Sequence, residues 1–302
     1  MSHDHANHVE LRLDMGPAFA WATGLNIAYV LAEAGFGFYY GSLALLADAA
    51  HNLTDVAGLL LAWGSLVLAK RKPNNLHTYG FGKATILAAL VNGAALMVAV
   101  GALSLEAIQR FGSPVQPAGT IVLWVALLGI AINGGTAMLF ISGRKNDLNI
   151  EGAFLHMASD AAVSAGVVLS ALLMIATGWT WIDPVVGLLI GAVIGWSSFG
   201  VMKSAVHLSL DGVPPSVDRD AVQNWLSDRP GVTGVHDLHV WAMSTTATAL
   251  TAHIVMPNGS PGDAFLDDLA EELEHHFGIQ HATLQIERGN GKGCRLAPLD
   301  IV

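Results

Sequence analysis

A chain of 302 residues that is 53% hydrophobic and only 13% charged falls well short of the roughly 25% charge of soluble domains, which excludes a soluble globular protein and indicates a membrane protein. The net charge of −10 resides mostly in the polar flanks and gives no basis for nucleic-acid binding. The single cysteine, Cys294, excludes a disulfide framework within the chain and points to a reducing compartment.

Taken in order, residues 1–14 read as a polar cytoplasmic tail bearing His3, His5 and His8, without the basic-then-apolar build of a cleaved signal. Six segments then reach the ~20 mostly apolar residues that a membrane helix needs: roughly 16–40, 42–69, 83–111, 118–142, 150–177 and 182–208. Gly41-Ser42, the polar loop from Lys70 to Gly82, the turn from Gly112 to Pro117, the loop from Arg144 to Asn149 and the turn from Gly178 to Asp183 separate them. Lys70, Arg71, Lys72, Lys83, Arg144, Lys145 and Lys203 gather at one side, against Arg110 at the other, so the positive-inside bias puts both termini in the cytoplasm. Beyond Leu208 the charge density becomes that of a soluble domain. A helix at 217–227, strands at 234–243 and 247–256, an acidic helix at 262–277 and a strand at 282–287 predict a small α+β sandwich with helices on one face of a sheet. A glycine-rich tail, 289–302, closes the chain.

The polar residues inside the apolar runs carry the chemistry. The stretch LLADAAHNLTDVAGLL holds His51 and Asp55, and LHMASDAAVS holds His156 and Asp160. Each pair is four apart, one helical turn, so both side chains leave the same face. A charge at mid-membrane costs at least ~2.5 kcal/mol, which makes such residues functional candidates. Two imidazoles and two carboxylates are the donor number and type that a tetrahedral Zn²⁺ takes. Asp55 precedes Lys70, and Asp160 follows Lys145, by fifteen residues, about 22 Å of helix, which predicts similar depths. Asp48, near the face of His51, and Glu33, Asn26, Asn92, Asn133 and Asp183 are expected to line the bundle or cap helices.

LADAAHNLTDV, HTYGFGK, EGAFLHMASDA, WIDPVVGLLIG and VHDLHVW, in that order, resemble the cation diffusion facilitator family over nearly the whole chain. The resemblance implies a polytopic α-helical membrane protein with six transmembrane helices (15–208) and a C-terminal ferredoxin-like cytoplasmic domain (209–288). It further implies a homodimer in the lipid bilayer of a bacterial inner membrane that exports Zn²⁺, with Cd²⁺ and Co²⁺ as alternatives, in exchange for H⁺. The transport site it implies is His51, Asp55, His156 and Asp160, the His-Asp form of the zinc group. His236, His253, His281 and Glu287 are its candidate cytoplasmic metal site, His77 its candidate loop ligand, and Lys83 with Asp211 its candidate charge interlock between membrane and soluble domains. His275 and His276, with the N-terminal histidines, are solvated or weak metal-catching groups. No organic cofactor is implied. An intramembrane zinc protease would need an open coordination position and a separate base, and no HExxH motif is present; nothing suggests the output module of a metal-sensing receptor.

Overall fold

The structure is a computed structural model that describes residues 16–40, 43–112, 120–289 and 294–297. The N-terminal tail, the Gly41-Ser42 break, most of the 112–117 turn and most of the C-terminal tail lie outside the described residues. Two compact units emerge, one built on residues 12–72 and 84–205, the other on 73–83 and 206–302.

The first unit consists of long helices: α1 (Gly16–Tyr40), α2 (Leu43–Ala69), α3 (Lys83–Gly112), α4 (Thr120–Phe140), α5 (Leu148–Thr177) and α6 (Ile182–Ser209). Each matches one of the predicted apolar segments to within two residues at either end. Among the described residues, Lys83–Gly112 and Pro184–Ser209 are long and apolar enough to cross a membrane, and shorter apolar stretches occupy Asp55–Ala69 and Leu127–Phe140. α5 has clear stops at both ends. The Asp147 carboxylate accepts from the Asn149 backbone N–H at 2.7 Å, and Gly178, at φ 74°, donates its N–H to the Met174 carbonyl, so orphan groups at both termini are satisfied.

α1 packs on α2 and α4, α4 on α5, and α2 on α5. α3 and α6 meet through glycines instead. Gly187, Gly191 and Gly195 recur every fourth residue on α6, and a Cβ on them would stand 3.4 Å from Ala107 Cβ, 3.1 Å from Ser104 Oγ and 3.2 Å from Val100 Cγ1 on α3. Gly93 on α3 answers from the other side, 3.3 Å from the Met202 backbone. Small residues at a four-residue repeat let helix backbones approach and gain van der Waals contact where no hydrophobic drive exists between helices.

The second unit holds α7 (Arg219–Ser227), β1 (Gly234–Ala242), β2 (Thr248–Val255), α8 (Asp263–Phe277) and β3 (His281–Glu287). The strands form one sheet in the order β1-β2-β3, with β1 antiparallel and β3 parallel to β2. Asp218 caps α7 by accepting from the N–H groups of Asp220 and Ala221. Val222 and Leu226 on α7 and Leu269 and Leu273 on α8, each pair one turn apart, cover Leu238, Val240, Leu250, Ala252 and Ile254 of the sheet. The helices therefore take one face, as the alternation of β2 and β3 predicts. β1 departs from simple alternation: the pairing steps from His236↔His253 to His239↔Thr251, three residues against two, and the extra residue, Asp237, adopts φ 50°. This is a bulge, and it switches which parity of β1 faces the core.

A side chain placed in the glycine seam should separate α3 from α6. Gly93→Leu and Gly191→Leu are each expected to destabilise the detergent-solubilised protein by about 1–3 kcal/mol through overpacking. Gly24→Ala, which meets nothing within 4 Å, should be neutral or slightly stabilising. Thermal unfolding midpoints measured side by side check this.

Candidate metal centres

In the helical unit the site is built on the antiparallel packing of α2 and α5. Asn149, almost fully buried, donates from Nδ2 to the Ala62 carbonyl at 3.0 Å and to Ser65 Oγ at 3.2 Å. Seven residues on along α5 and seven back along α2, His156 Nε2 and Asp55 Oδ1 lie 2.8 Å apart. Seven residues are two turns, about 10.5 Å, so the Asn149 bridge holds the helices in the register that brings imidazole and carboxylate face to face. Asp160, one turn beyond His156, places Oδ2 3.9 Å from His156 Nε2. Asp55, His156 and Asp160 each offer a ligand atom within 4.8 Å of the others.

Asp55 is 3% exposed. Its Oδ2 has no hydrogen-bond partner among the described residues. A buried polar atom without a partner costs about 1–3 kcal/mol, which a cation beside the carboxylate would repay. Zn²⁺ bonds nitrogen and oxygen at about 2.0–2.2 Å, so the edges of its tetrahedron measure roughly 3.4 Å, bracketed by the 2.8 and 3.9 Å separations here. Asn92 from α3 reaches between the two ligand-bearing helices: a Cβ on Gly58 would lie 3.1 Å from its Oδ1, and one on Gly152 3.0 Å from its Nδ2. Asn26 of α1 contacts Met157 Sδ at 3.6 Å, beside His156. Asn26, Asn92 and Asn133 are all buried.

His51 lies on α2 one turn before Asp55, while its side chain is outside the described residues, as are those of Glu33, Asp48 and Asp183. Asp55 faces His156 with Asp160 one turn on, and the donor atoms of the two aspartates lie within 4.8 Å, in keeping with the similar heights expected of them.

In the sheet unit the bulge at Asp237 turns His236 onto the open face opposite His253, their rings 5.2 Å apart and edge to face. His236 Nε2 stands 3.4 Å from Glu287 Oε2, His253 Nδ1 3.1 Å from Glu287 Oε1 and 3.5 Å from Cys294 Sγ. The four residues His236, His253, Glu287 and Cys294 form a ligand cluster. Asp237 Oδ2 lies 3.4 Å from the other nitrogen of His253, and its Oδ1 2.9 Å from His239 Nε2. Burial alone pushes the Glu287 carboxyl up, but hydrogen bonds from Cys294 and Gln285 and the neighbouring His236 and His253 outweigh it and hold the group below the ordinary carboxylate range. His281 does not join them. It pairs with Ala249 at the start of β3, whereas Glu287 pairs with Val255 at its end, six residues or about 20 Å away along the strand; its ring instead meets Tyr79 edge to face at 5.4 Å.

His77 packs on Phe81 at 4.5 Å and belongs to neither ligand cluster among the described residues. Lys83 Nζ donates to Asp211 Oδ1 at 2.6 Å, both side chains more than half exposed, a setting in which ion pairs contribute about 0–1 kcal/mol. His275 and His276 occupy the last turn of α8. Sequence reasoning missed Asp237 and Cys294. The core-facing residues Val235, Leu238 and Val240 change parity between the first two, a trace of the bulge, and a lone thiol seven residues past Glu287 is a ligand-type residue in reach of it.

The sequence matches the cation efflux transmembrane domain over residues 20–208 and the cation efflux protein cytoplasmic domain over 214–289. It is 36% identical to a cadmium, cobalt and zinc/H(+)-K(+) antiporter of Bacillus subtilis, covering 95% of this chain and 92% of that protein. It is 35% identical to the metal cation efflux system protein CzcD of Cupriavidus metallidurans, over 95% and 89%, and 35% identical to the zinc transporter ZitB of Escherichia coli, over 98% and 96%. With both of its domains matched and relatives aligned along nearly its full length, the chain belongs to the cation efflux family, the cation diffusion facilitators, and is an integral membrane secondary transporter rather than an enzyme.

Proposed function

We propose that this protein exports Zn²⁺ from the cytoplasm in exchange for protons, by alternating access around a site made of His51, Asp55, His156 and Asp160. The observation that carries the reading is the buried pair of Asp55 and His156 on facing helices at 2.8 Å, with Asp160 one turn on. His51 lies in α2 four residues before Asp55, a one-turn spacing that supports it as the fourth ligand. Relatives named as zinc transporters, and as an antiporter of cadmium, cobalt and zinc, support the cargo class. Imidazole with carboxylate suits Zn²⁺, Cd²⁺ and Co²⁺ better than Mg²⁺ or Ca²⁺. Exchange follows from the donors, since ligands must be deprotonated to hold metal and histidines near pKa ~6.5 accept protons once it leaves.

All six helices α1–α6 span the bilayer of a bacterial inner membrane in this reading, with both termini cytoplasmic as the basic loops require. The α-β-β-α-β unit is a ferredoxin-like domain at 209–288, flanked by the tails 1–14 and 289–302. The C-terminal match, to a dimerising cytoplasmic domain, supports a homodimer. The cytoplasmic metal site is His236, His253 and Glu287, without His281, and the pair Lys83–Asp211 is the charge interlock. The 2.6 Å contact lies within the unit of residues 73–83 and 206–302, and its exposure makes it a device for position rather than stability. His77 carries no support as a ligand.

In proteoliposomes with an imposed pH gradient, Asp55→Ala and Asp160→Ala should each abolish zinc flux while remaining folded dimers by size-exclusion chromatography. Full flux in either would remove that residue from the site. Acid should weaken zinc at this site by about tenfold per pH unit, below the imidazole range, for each histidine that must lose its proton. Calorimetric titration at two pH values on either side of that range measures it, and an affinity indifferent to pH contradicts proton exchange at the ligands.

A further inference from the structure

The cluster on the open face of the sheet has a fourth member from outside the sheet. Cys294 lies seven residues beyond Glu287 in sequence, after Gly289 at φ 67°. Its thiol is only partly exposed and lies 3.5 Å from His253 Nδ1. Around Zn²⁺, with bonds of about 2.3 Å to sulfur and 2.0–2.1 Å to nitrogen, a tetrahedron has a sulfur–nitrogen edge of roughly 3.6 Å and nitrogen–oxygen edges of roughly 3.4 Å. The observed separations are 3.5 Å for Cys294 and His253, and 3.1 and 3.4 Å from Glu287 to His253 and His236. The donors already stand at coordination spacing.

Other atoms in the cluster agree. His236 Nε2 is buried and makes no hydrogen bond among the described residues, so a donor nitrogen is aimed inward. His253 turns Nδ1 to the thiol and Glu287 and Nε2 to the Asp237 carboxylate. A carboxylate on the far nitrogen fixes the tautomer and raises the basicity of the ligating one, a recurrent arrangement behind metal-bound histidine.

We propose that Cys294 binds divalent metal as a thiolate, completing a His236–His253–Glu287–Cys294 site on the cytoplasmic domain that fastens the chain's C-terminal segment to the sheet. This rests on the reading of that face as a metal site and adds its chemistry. A sulfur donor biases the site toward Zn²⁺ and Cd²⁺ over Mg²⁺, Ca²⁺ and Mn²⁺. It also makes occupancy of the site and availability of the thiol mutually exclusive, because a sulfur bonded to metal is shielded from alkylating agents.

The chain has one cysteine, so any thiolate-to-metal signal has a single origin. Titrating the reduced full-length protein in detergent with Cd²⁺ should raise an ultraviolet charge-transfer band that saturates at one equivalent per protomer and is absent in Cys294→Ser. Saturating Cd²⁺ should slow iodoacetamide alkylation of Cys294 at least tenfold, and His253→Ala should remove the protection. If no band appears and alkylation is unchanged while His253→Ala still lowers bound metal by one equivalent, the site stands and thiolate ligation is overturned. If His253→Ala leaves bound metal unchanged as well, the cytoplasmic site falls with it.

Discussion

A carboxylate at Asp55, held away from solvent on a helix that carries no Lys or Arg, finds a polar partner on another helix. α5 supplies it. The imidazole of His156 reaches Asp55 only because α5 is locked against α2 two turns away, where the buried amide of Asn149 spans to Ala62 and Ser65. A slip of one residue along either helix rotates the side chains by about 100° and breaks both contacts together. The capping of α5 by Asp147 and the amide of Asn92 against Gly58 and Gly152 belong to the same constraint. They fix where α5 begins and how closely the ligand-bearing helices are spaced.

In the sheet unit a different device does the same work. A strand presents alternate residues to opposite faces, so β1 without interruption would send His236 to the side that takes Leu238 and Val240. One extra residue, Asp237, accepts the left-handed conformation that aspartate tolerates better than most and reverses the parity. The same residue then places its carboxylate behind His253. Local backbone irregularity and ligand orientation are supplied by one position, which explains why the bulge falls there rather than at the strand's end.

Much of this was legible in advance, and the reasons differ by element. The six long helices follow from uninterrupted apolar length, a signal that averages over 20 or more residues and tolerates local error. α7 showed amphipathic spacing opened by Ser216 or Asp218, of which Asp218 is the cap, and α8 showed as an acidic helix. The pairing of Asp55 with His156 was not legible, because it depends on the register of α5 against α2, which the buried contacts of Asn149 to Ala62 and Ser65 set across 87 and 84 positions of sequence. His281 was misleading for a related reason. It shares its face with Glu287 by parity, but strand pairing sets it at the far end, and periodicity carries no information about which end of a strand meets a neighbour. Cys294 lies beyond regular structure, where no periodicity exists to read.

Under the proposed reading, the helical site also bears on how exchange can be tight without a separate proton path. With Asp55 and His156 at 2.8 Å, the pair can share a proton in a bond that is short because one partner carries charge. A metal entering between them must break that bond and take both atoms for itself, so the proton and the ion compete for the same lone pairs. Competition of this kind forbids the doubly occupied state, and it leaves the vacant, deprotonated state as the costly one, since a carboxylate without a counter-charge would remain buried. Alternating access built on such a site moves one ion or the other but resists returning empty, which is the condition an antiporter has to meet.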